Sequence, residues 1–563
     1  MMKIVIIGGV AAGGSAAARA RRMDEDAEIV VIERGPFISF ANCGLPYHLS
    51  GTIPERKDLL VMTPEKFAGW FQVEARVLQE VVAIDRQAKS VHVKNHRSGE
   101  SYDESYDKLI IATGSSPVQP PIPGSDDPDI YPLWTIPDMD RIKGRIDEGA
   151  KRAVVVGGGF IGLEAAENLR ESGLAVSLVE MLPQVFPALD KEMTTAVSEK
   201  IRDHDIDLYL QTKVEAIHRE STFEHTSSEL KVELDNGSEI TTDFVILSIG
   251  VRPNSDLAEE AGLELGVGKT IRTNEHCQTS DPDIYAVGDV AEVQHLSLKS
   301  PASVPLAGPA NQQGRIAASH IFNQSSSYKG ASGTSIVKVF DLTAGATGAN
   351  EKSLQEAGIN YQKAYIHPVS HASYYPGAQP LHIKLLFSPD DERILGAQCI
   401  GGEGVDKRID VIATAINFGG TVSQLEEIDL AYAPPYGSAR DPVNYAGMVA
   451  GNILEGRSKP IFPDTIPDDA FLLDVRYPEE LKSEPSIPGS ILIPLPELRS
   501  RIDEVPKDRE VVVYCAVGLR GYLAERILRQ AGRKAGNLMG GIKTYRSFFP
   551  GSDCWEGGKQ FSA

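Results

Sequence analysis

The sequence predicts an α/β fold of several domains. Two doubly wound parallel-sheet domains come first, an α+β domain follows, and a small α/β domain ends the chain. Three observations predict this. A strand, a Gly-rich loop, a helix and an acid-ended strand recur twice in the first half. The pattern changes from the 330s to Asn444. Near the C-terminus an apolar strand runs into a cysteine loop and a helix.

The first unit is the strand Lys3–Ile7, the loop Gly8-Gly9-Val10-Ala11-Ala12-Gly13-Gly14, an Ala-rich helix, and the strand Glu28–Glu33. The second is Arg152–Val156, Gly157-Gly158-Gly159-Phe160-Ile161-Gly162, a helix over Leu163–Ser172, and Ala175–Glu180. Both are Rossmann-like, so two nucleotide sites are expected in one chain. The second loop is the fuller fingerprint. Gly157 permits the turn, Gly159 lets a pyrophosphate approach the backbone, and Gly162 lets helix and strand pack. Glu180 stands where a ribose 2′-OH would bind, and its charge repels a 2′-phosphate, so NADH is expected over NADPH. The first loop keeps Gly8 and Gly13 but has Val10 in the middle position, with Glu33 as its acid.

After the second unit, strands are expected at Lys338–Phe340, His382–Phe387 and Ile394–Ile400, and a helix at Arg408–Phe418. Residues 455–467 are rich in Pro and polar residues and read as a linker. Beyond it, Phe471–Val475 and Val511–Tyr514 read as strands and Tyr522–Ala531 as a helix.

A chain of 563 residues has room for about four domains or fewer. Lys and Arg total 56 against 78 Asp and Glu, a net charge of −22, which disfavours nucleic acid and anionic membranes. No apolar run approaches the ~18 residues of a spanning helix, and the N-terminus reads as a strand rather than a leader. Cys43, Cys277, Cys399, Cys515 and Cys554 are an odd set with no C-x-x-C, as expected of a reducing, cytoplasmic setting with individually reactive thiols. Cys277 and Cys399 read as structural, and Cys554 has no assigned role. The 12 histidines show no ligand spacing, so no metal is expected.

Two further segments strengthen the first nucleotide site. Ile110-Ile111-Ala112-Thr113-Gly114-Ser115 and Thr279-Ser280-Asp281-Pro282-Asp283-Ile284-Tyr285-Ala286-Val287-Gly288-Asp289 resemble the flavin-returning segments of the pyridine nucleotide–disulfide oxidoreductases. The resemblance implies FAD on the first unit, with Arg34, Thr113, Gly114, Asp289 and Gly250 among the cofactor contacts. It implies NADH on the second, and hydride transfer between the two. Its domains would be 1–115 with 250–325 for FAD, 116–249 for NAD, 326–454 for dimerisation and 468–563 for the last domain.

That class commonly carries a C-x-x-x-x-C disulfide, but five residues after Cys43 stands His48. Ser39-Phe40-Ala41-Asn42-Cys43-Gly44-Leu45-Pro46-Tyr47 resembles the single-cysteine subgroup, most closely the coenzyme A disulfide reductases. A lone cysteine beside a flavin stores electrons as a mixed disulfide, persulfide or sulfenic acid. Arg19 and Arg22 share one helix face and suit phosphates of coenzyme A. By resemblance, Ser15, Arg19, Arg22, Ser39, Asn42 and Arg440 contact CoA. Tyr374, in His371–Pro376, and Tyr432, in Ala431–Tyr436, are expected to reach from the partner subunit of a homodimer towards Cys43; Tyr375 and Tyr436 are the alternatives.

Tyr514-Cys515-Ala516-Val517-Gly518-Leu519-Arg520 opens a helix, and its successive N–H groups form an anion nest that favours a thiolate. With Asp474-Val475-Arg476, Ile487–Ile491 and Met539–Ile542, it resembles rhodanese domains across about 465–555. The loop from Cys515 to Arg520 has the sulfur-transferring length, one residue shorter than in the related phosphatases, so a persulfide at Cys515 is expected, with Arg520 at the site. The whole reads as an NADH-dependent reductase of persulfide, polysulfide or CoA-disulfide sulfur joined to a sulfurtransferase. The alternatives are an NADH oxidase or peroxidase working through a sulfenic acid, and a flavin-regulated sulfur relay or redox sensor. Which sulfur compound is the substrate, and whether sulfur passes directly between Cys515 and Cys43, stays open at the sequence level.

Overall fold

Lys3–Ile7, Glu28–Glu33 and Lys108–Ile111 are runs of β-branched and aliphatic residues, nearly all of them buried. Strands covered on both faces form the middle of parallel sheets. In the computed structural model, which describes residues 1–220 and 229–550, they do so. The order is Ile284–Ala286, Lys108–Ile111, Lys3–Ile7, Glu28–Glu33, Glu74–Val77, all parallel. A second parallel sheet has the order Ile130–Tyr131, Phe244–Leu247, Arg152–Val156, Ala175–Val179, Ile206–Tyr209. Each is accompanied by a three-stranded antiparallel meander, Gln79–Ser105 and Val214–Thr242. The internal repeat is therefore longer than the pair of βαβ units.

The alanines of helix Ala12–Met23 have a packing reason. Ala16, Ala17 and Ala20 are fully buried, and helix Ala307–Ile321 lies close against them. A methyl group at Gly314 would meet the Ala12 carbonyl oxygen at 2.2 Å.

The chain divides into two units, Met1–Val185 with Ile201–Gly333, and Phe186–Lys200 with the chain from Thr334 onward. The second unit holds an antiparallel sheet ordered Ser335–Val339, Leu342–Gly348, Ile394–Gly401, Leu381–Phe387, Gln362–Ile366. Helices Val405–Asn417 and Pro442–Leu454 accompany it. It also holds a parallel sheet ordered Pro460–Ile461, Ala535–Leu538, Val511–Tyr514, Phe471–Asp474, Ile491–Leu492.

The stretch expected as a linker is not a free tether. Pro460–Ile461 pairs with Asn537–Leu538. Ser458 Oγ and the Lys459 N–H both donate to the Glu525 carboxylate, each at 2.6 Å. Proline is tolerated there because the strand is an edge. Within the segment Phe186–Lys200, Asp190 and Glu192 converge with Glu351 on the fully buried Lys384 ammonium, with Asp190 at 2.6 Å. The ammonium takes the place a metal cation would need, and it holds the Glu351 carboxyl down to about 2.

His367 and His382 meet edge to face at 4.6 Å, and His367 Nε2 bonds Thr544 Oγ1 at 2.7 Å. Burial, then the Lys543 charge, pushes His382 down to about 4, and His367 is also lowered. Both rings are therefore neutral when folded, whereas free imidazoles protonate below pH 6.5. Stability should be full above that value and decline as pH falls towards 4, by about 3 kcal/mol for His382 alone. Melting curves of wild type and His382→Gln between pH 7 and 4.5 check this; equal slopes would contradict it.

Candidate active sites

The first unit builds its cofactor loops from backbone crowding. Gly8 has φ +94°, and a methyl group there would sit 2.3 Å from the Ala112 carbonyl oxygen. A methyl group at Gly162 would meet the Gly157 carbonyl oxygen at 1.8 Å, whereas Gly159 faces open space. That open face beside a helix N-terminus is the cradle a pyrophosphate needs. The two acids are held alike. Glu33 accepts from Gly9 N at 3.1 Å and Gly35 N at 2.7 Å. Glu180 accepts from Gly158 N at 2.6 Å and Leu182 N at 2.7 Å. A carboxylate has about four acceptor sites, so each retains capacity for a ribose diol. The residues present fit two dinucleotides. Elsewhere at the first loop, Thr113 Oγ1 donates to the Asn254 carbonyl at 2.8 Å, and Ser115 Oγ donates to Asp289 at 2.7 Å.

After Glu180 come Met181, Leu182 and Pro183, with no cation to receive a 2′-phosphate. Flavin reduction should therefore be faster, and saturate lower, with NADH than with NADPH in stopped flow. Glu180→Ala should narrow the gap roughly tenfold. A native preference for NADPH would contradict this.

Cys43 lies in the 3₁₀ turn Asn42–Gly44, ahead of the short helix Leu45–Leu49. Asn42 Oδ1 accepts the Cys43 N–H at 3.2 Å. The residue is exposed, yet partial withdrawal of its sulfur from water, then the Glu164 and Asp289 carboxylates, raise the thiol above its ordinary value. Cys43 thus shares its surroundings with Asp289 of the flavin segment and Glu164 of helix Phe160–Glu171, the nicotinamide-loop helix. Tyr47 donates to Glu164 at 3.0 Å, and burial brings the Glu164 carboxyl up to about 6. Sequence reasoning missed Glu164, because only the fold brings this helix to the cysteine, and with it the role of Tyr47 as Glu164's partner. His48, in the place of a second cysteine, is buried and bonds the Ile53 carbonyl through Nδ1 at 2.7 Å.

Of the residues expected to meet CoA, Ser15, Arg19, Arg22, Ser39 and Asn42 lie in this unit. Ser15 bonds Asn311, Arg19 Nε donates to Ser319 Oγ at 2.9 Å, and Ser39 is buried. Arg22 and Arg315 both bear electrostatically on Arg19, so Arg315 joins the cluster. Arg21, between them in sequence, is structural: its guanidinium donates to the carbonyls of Phe71, Asp24, Glu25 and Gln72.

In the second unit, Tyr374 and Tyr432 are exposed and their hydroxyls bond at 2.7 Å. Tyr375 instead packs on His371, ring centres 5.6 Å apart. One buried arginine ties the residue before the first tyrosine segment to the start of helix Pro442–Leu454. Arg408 donates to the Ser370 carbonyl at 2.8 Å and to Asp441 at 2.9 Å, and Asp441 caps helix Pro442–Leu454. Arg440 is exposed in the turn before that helix.

Cys515 follows strand Val511–Tyr514, is fully buried, and its Sγ accepts the Gly518 N–H at 3.2 Å. The Gly540–Gly541 turn closes on the loop, where the Ile542 N–H donates to the Cys515 carbonyl at 2.9 Å. Arg520, expected at this site, is not a free cation: Nη1 and Nη2 donate to the two oxygens of Glu480, each at 2.6 Å. Tyr445 of helix Pro442–Leu454 is pushed up by burial and then by Cys515, with Arg440 opposing. Cys277 and Cys399 are buried, and burial brings both thiols up to about 12, as inert core residues. Cys554 lies outside the described residues.

The pyridine nucleotide-disulphide oxidoreductase family matches residues 2–314. The chain belongs to that family. Its dimerisation domain matches residues 334–442 and a rhodanese-like domain residues 463–547. The coenzyme A disulfide reductase of Staphylococcus aureus (strain JH9) is 34% identical over 453 residues, which are 80% of this chain and all of the relative. The reduced CoADR-RHD crystal structure of Bacillus anthracis superposes with a TM-score of 0.94 at 48% identity, covering 98% of each chain. An NAD-dependent persulfide reductase from A. fulgidus gives a TM-score of 0.90 at 38% identity, covering 97% of this chain and all of that one. The four-part fold expected from the sequence is thus established, and FAD and NAD(H) are the cofactors of the class. No helix among the described residues is long and apolar enough to cross a membrane.

Proposed function

We propose that this chain is an NADH-dependent flavoprotein that reduces persulfide, polysulfide or CoA-disulfide sulfur through Cys43, with Cys515 exchanging sulfane sulfur. The observation that carries the reading is the setting of Cys43, a single cysteine beside Asp289 and Glu164 with His48 in place of a second thiol. Bound FAD would supply the two-electron relay between nicotinamide and this cysteine.

The chain's own residues divide the remaining work. Cys43 thiolate attacks a sulfur of the substrate, and the S–S bond breaks with the electron pair leaving on the departing thiolate. In a homodimer, Tyr374 and Tyr432 of the partner subunit donate hydrogen bonds to that leaving group; their mutual hydroxyl bond supports their acting as a pair. Glu164, with its carboxyl near 6, can hold a proton close to Cys43. By the resemblance, Arg19, Arg22 and Arg440 each contact CoA phosphates, and Ser15, Ser39 and Asn42 contact CoA. Bound CoA would carry sulfur to or from Cys515. The described cysteines are all free, which suits the cytoplasm.

The test is NADH oxidation, without oxygen, against polysulfide, CoA persulfide and CoA disulfide. Turnover with at least one is expected, and none would refute the reading. Arg22→Ala and Arg440→Ala should each weaken CoA binding by roughly ten- to a hundredfold, read by calorimetry. Unchanged affinity would remove them from the site.

A further inference from the structure

Arg520 is the cation beside the Cys515 loop, and it bears on the thiol directly. An arginine fork placed there would receive an oxyanion on two parallel N–H groups. Glu480 takes one N–H on each terminal nitrogen and offsets the charge, while the remaining N–H groups bear on Cys515. Glu480 is itself fixed, because it accepts the Tyr477 N–H at 2.9 Å at the start of the turn Pro478–Lys482. The guanidinium also lies over the Tyr477 ring, 5.5 Å from its centre. This is a built clamp rather than a loose surface pair. Beside it, Leu519, Leu523 and Tyr477 are 49%, 45% and 47% exposed. The site thus offers a neutralised cation and apolar side chains.

We infer that Glu480 is a specificity-determining residue, which turns Cys515 away from inorganic oxyanion donors such as thiosulfate and towards organic persulfides. The inference rests on the reading of Cys515 as a sulfur acceptor. In that step the Cys515 thiolate attacks the outer sulfur of R–S–SH. The S–S bond breaks, RS⁻ leaves with the electron pair, and Cys515 carries –S–SH. With thiosulfate the leaving group is sulfite, whose charge must develop beside an arginine already paired. A departing organic thiolate carries one charge against sulfite's two and so leans less on the arginine, and its substituent finds the apolar side chains.

The test compares full-length wild type, Glu480→Gln and Cys515→Ser in sulfur transfer to cyanide from thiosulfate and from 2-hydroxyethyl persulfide. Glu480→Gln keeps the shape and removes the charge. It should raise kcat/KM for thiosulfate about tenfold, mainly through KM, and change the persulfide value by less than about twofold. Unchanged thiosulfate kinetics in a folded Glu480→Gln protein would overturn the role of Glu480 while leaving Cys515 in place. Transfer that survives in Cys515→Ser would instead overturn the reading of Cys515. Should Glu480→Gln fail to fold, the wild type decides. A clamped arginine predicts thiosulfate kinetics nearly flat in salt, and a steep fall with ionic strength would show a free cation steering the anion.

Discussion

Cys43→Ser is expected to lose NADH-dependent reduction of every sulfur acceptor, by at least about a thousandfold. A serine hydroxyl is a poor nucleophile without a base and cannot form the disulfide that carries the electrons. No second thiol stands five residues on, since that place is held by the buried His48. The loops holding the two dinucleotides are built from other residues, so NADH should still reduce the flavin in this variant. The signature is therefore a flavin that NADH bleaches and that polysulfide fails to recolour. A variant that still turned over polysulfide would place the electron exit elsewhere.

Cys515→Ser should abolish sulfane-sulfur transfer to cyanide and leave much of the reductase intact. Its Sγ is held by the Gly518 N–H inside a loop shaped by Gly540 and Gly541, and among the described residues Cys277 and Cys399 are buried with raised thiols. Long or bulky polysulfides that require a hand-over should slow, whereas small CoA-linked substrates should be far less affected. Mass spectrometry of Cys43→Ser treated with an organic persulfide or polysulfide should find the added sulfur on Cys515, the donor's thiolate leaving with the electron pair. Loss of all reduction in Cys515→Ser would make this domain an obligatory relay. No change with any substrate would leave the two chemistries uncoupled.

Much of this was legible because glycine loops, acid-ended strands and the cysteine segments are local patterns. Gly162 answers to the Gly157 carbonyl five residues earlier, so spacing marks it, whereas Gly8 and Gly157 answer to the distant Ala112 and Ser248 carbonyls and are marked by the loop motif. What escaped was long-range. Glu164 lies 121 positions after Cys43 in the numbering, and nothing in its own helix marks it as the neighbour of a thiol. Lys384 looks like an ordinary strand residue until the segment carrying Asp190 and Glu192 closes around it. Arg520 was visible as a loop residue, but Glu480, which takes its charge, sits 40 positions earlier in an unremarkable Pro-Glu-Glu turn. Within the stretch read as a linker, Pro and polar residues also suit an edge strand, and only the partner strand Ala535–Leu538 shows that Pro460–Ile461 is one.

The central claim is that electrons from NADH leave through Cys43 onto sulfane sulfur. Its most direct test is stoichiometry under strict exclusion of oxygen, with a purified persulfide and the wild-type protein. Reduction of R–S–SH by two electrons and two protons gives RSH and H₂S, so one sulfide should appear for each NADH consumed. The ratio should vanish with Cys43→Ser. NADH consumption that proceeds only when oxygen is admitted, yielding peroxide or water without sulfide, would contradict the account.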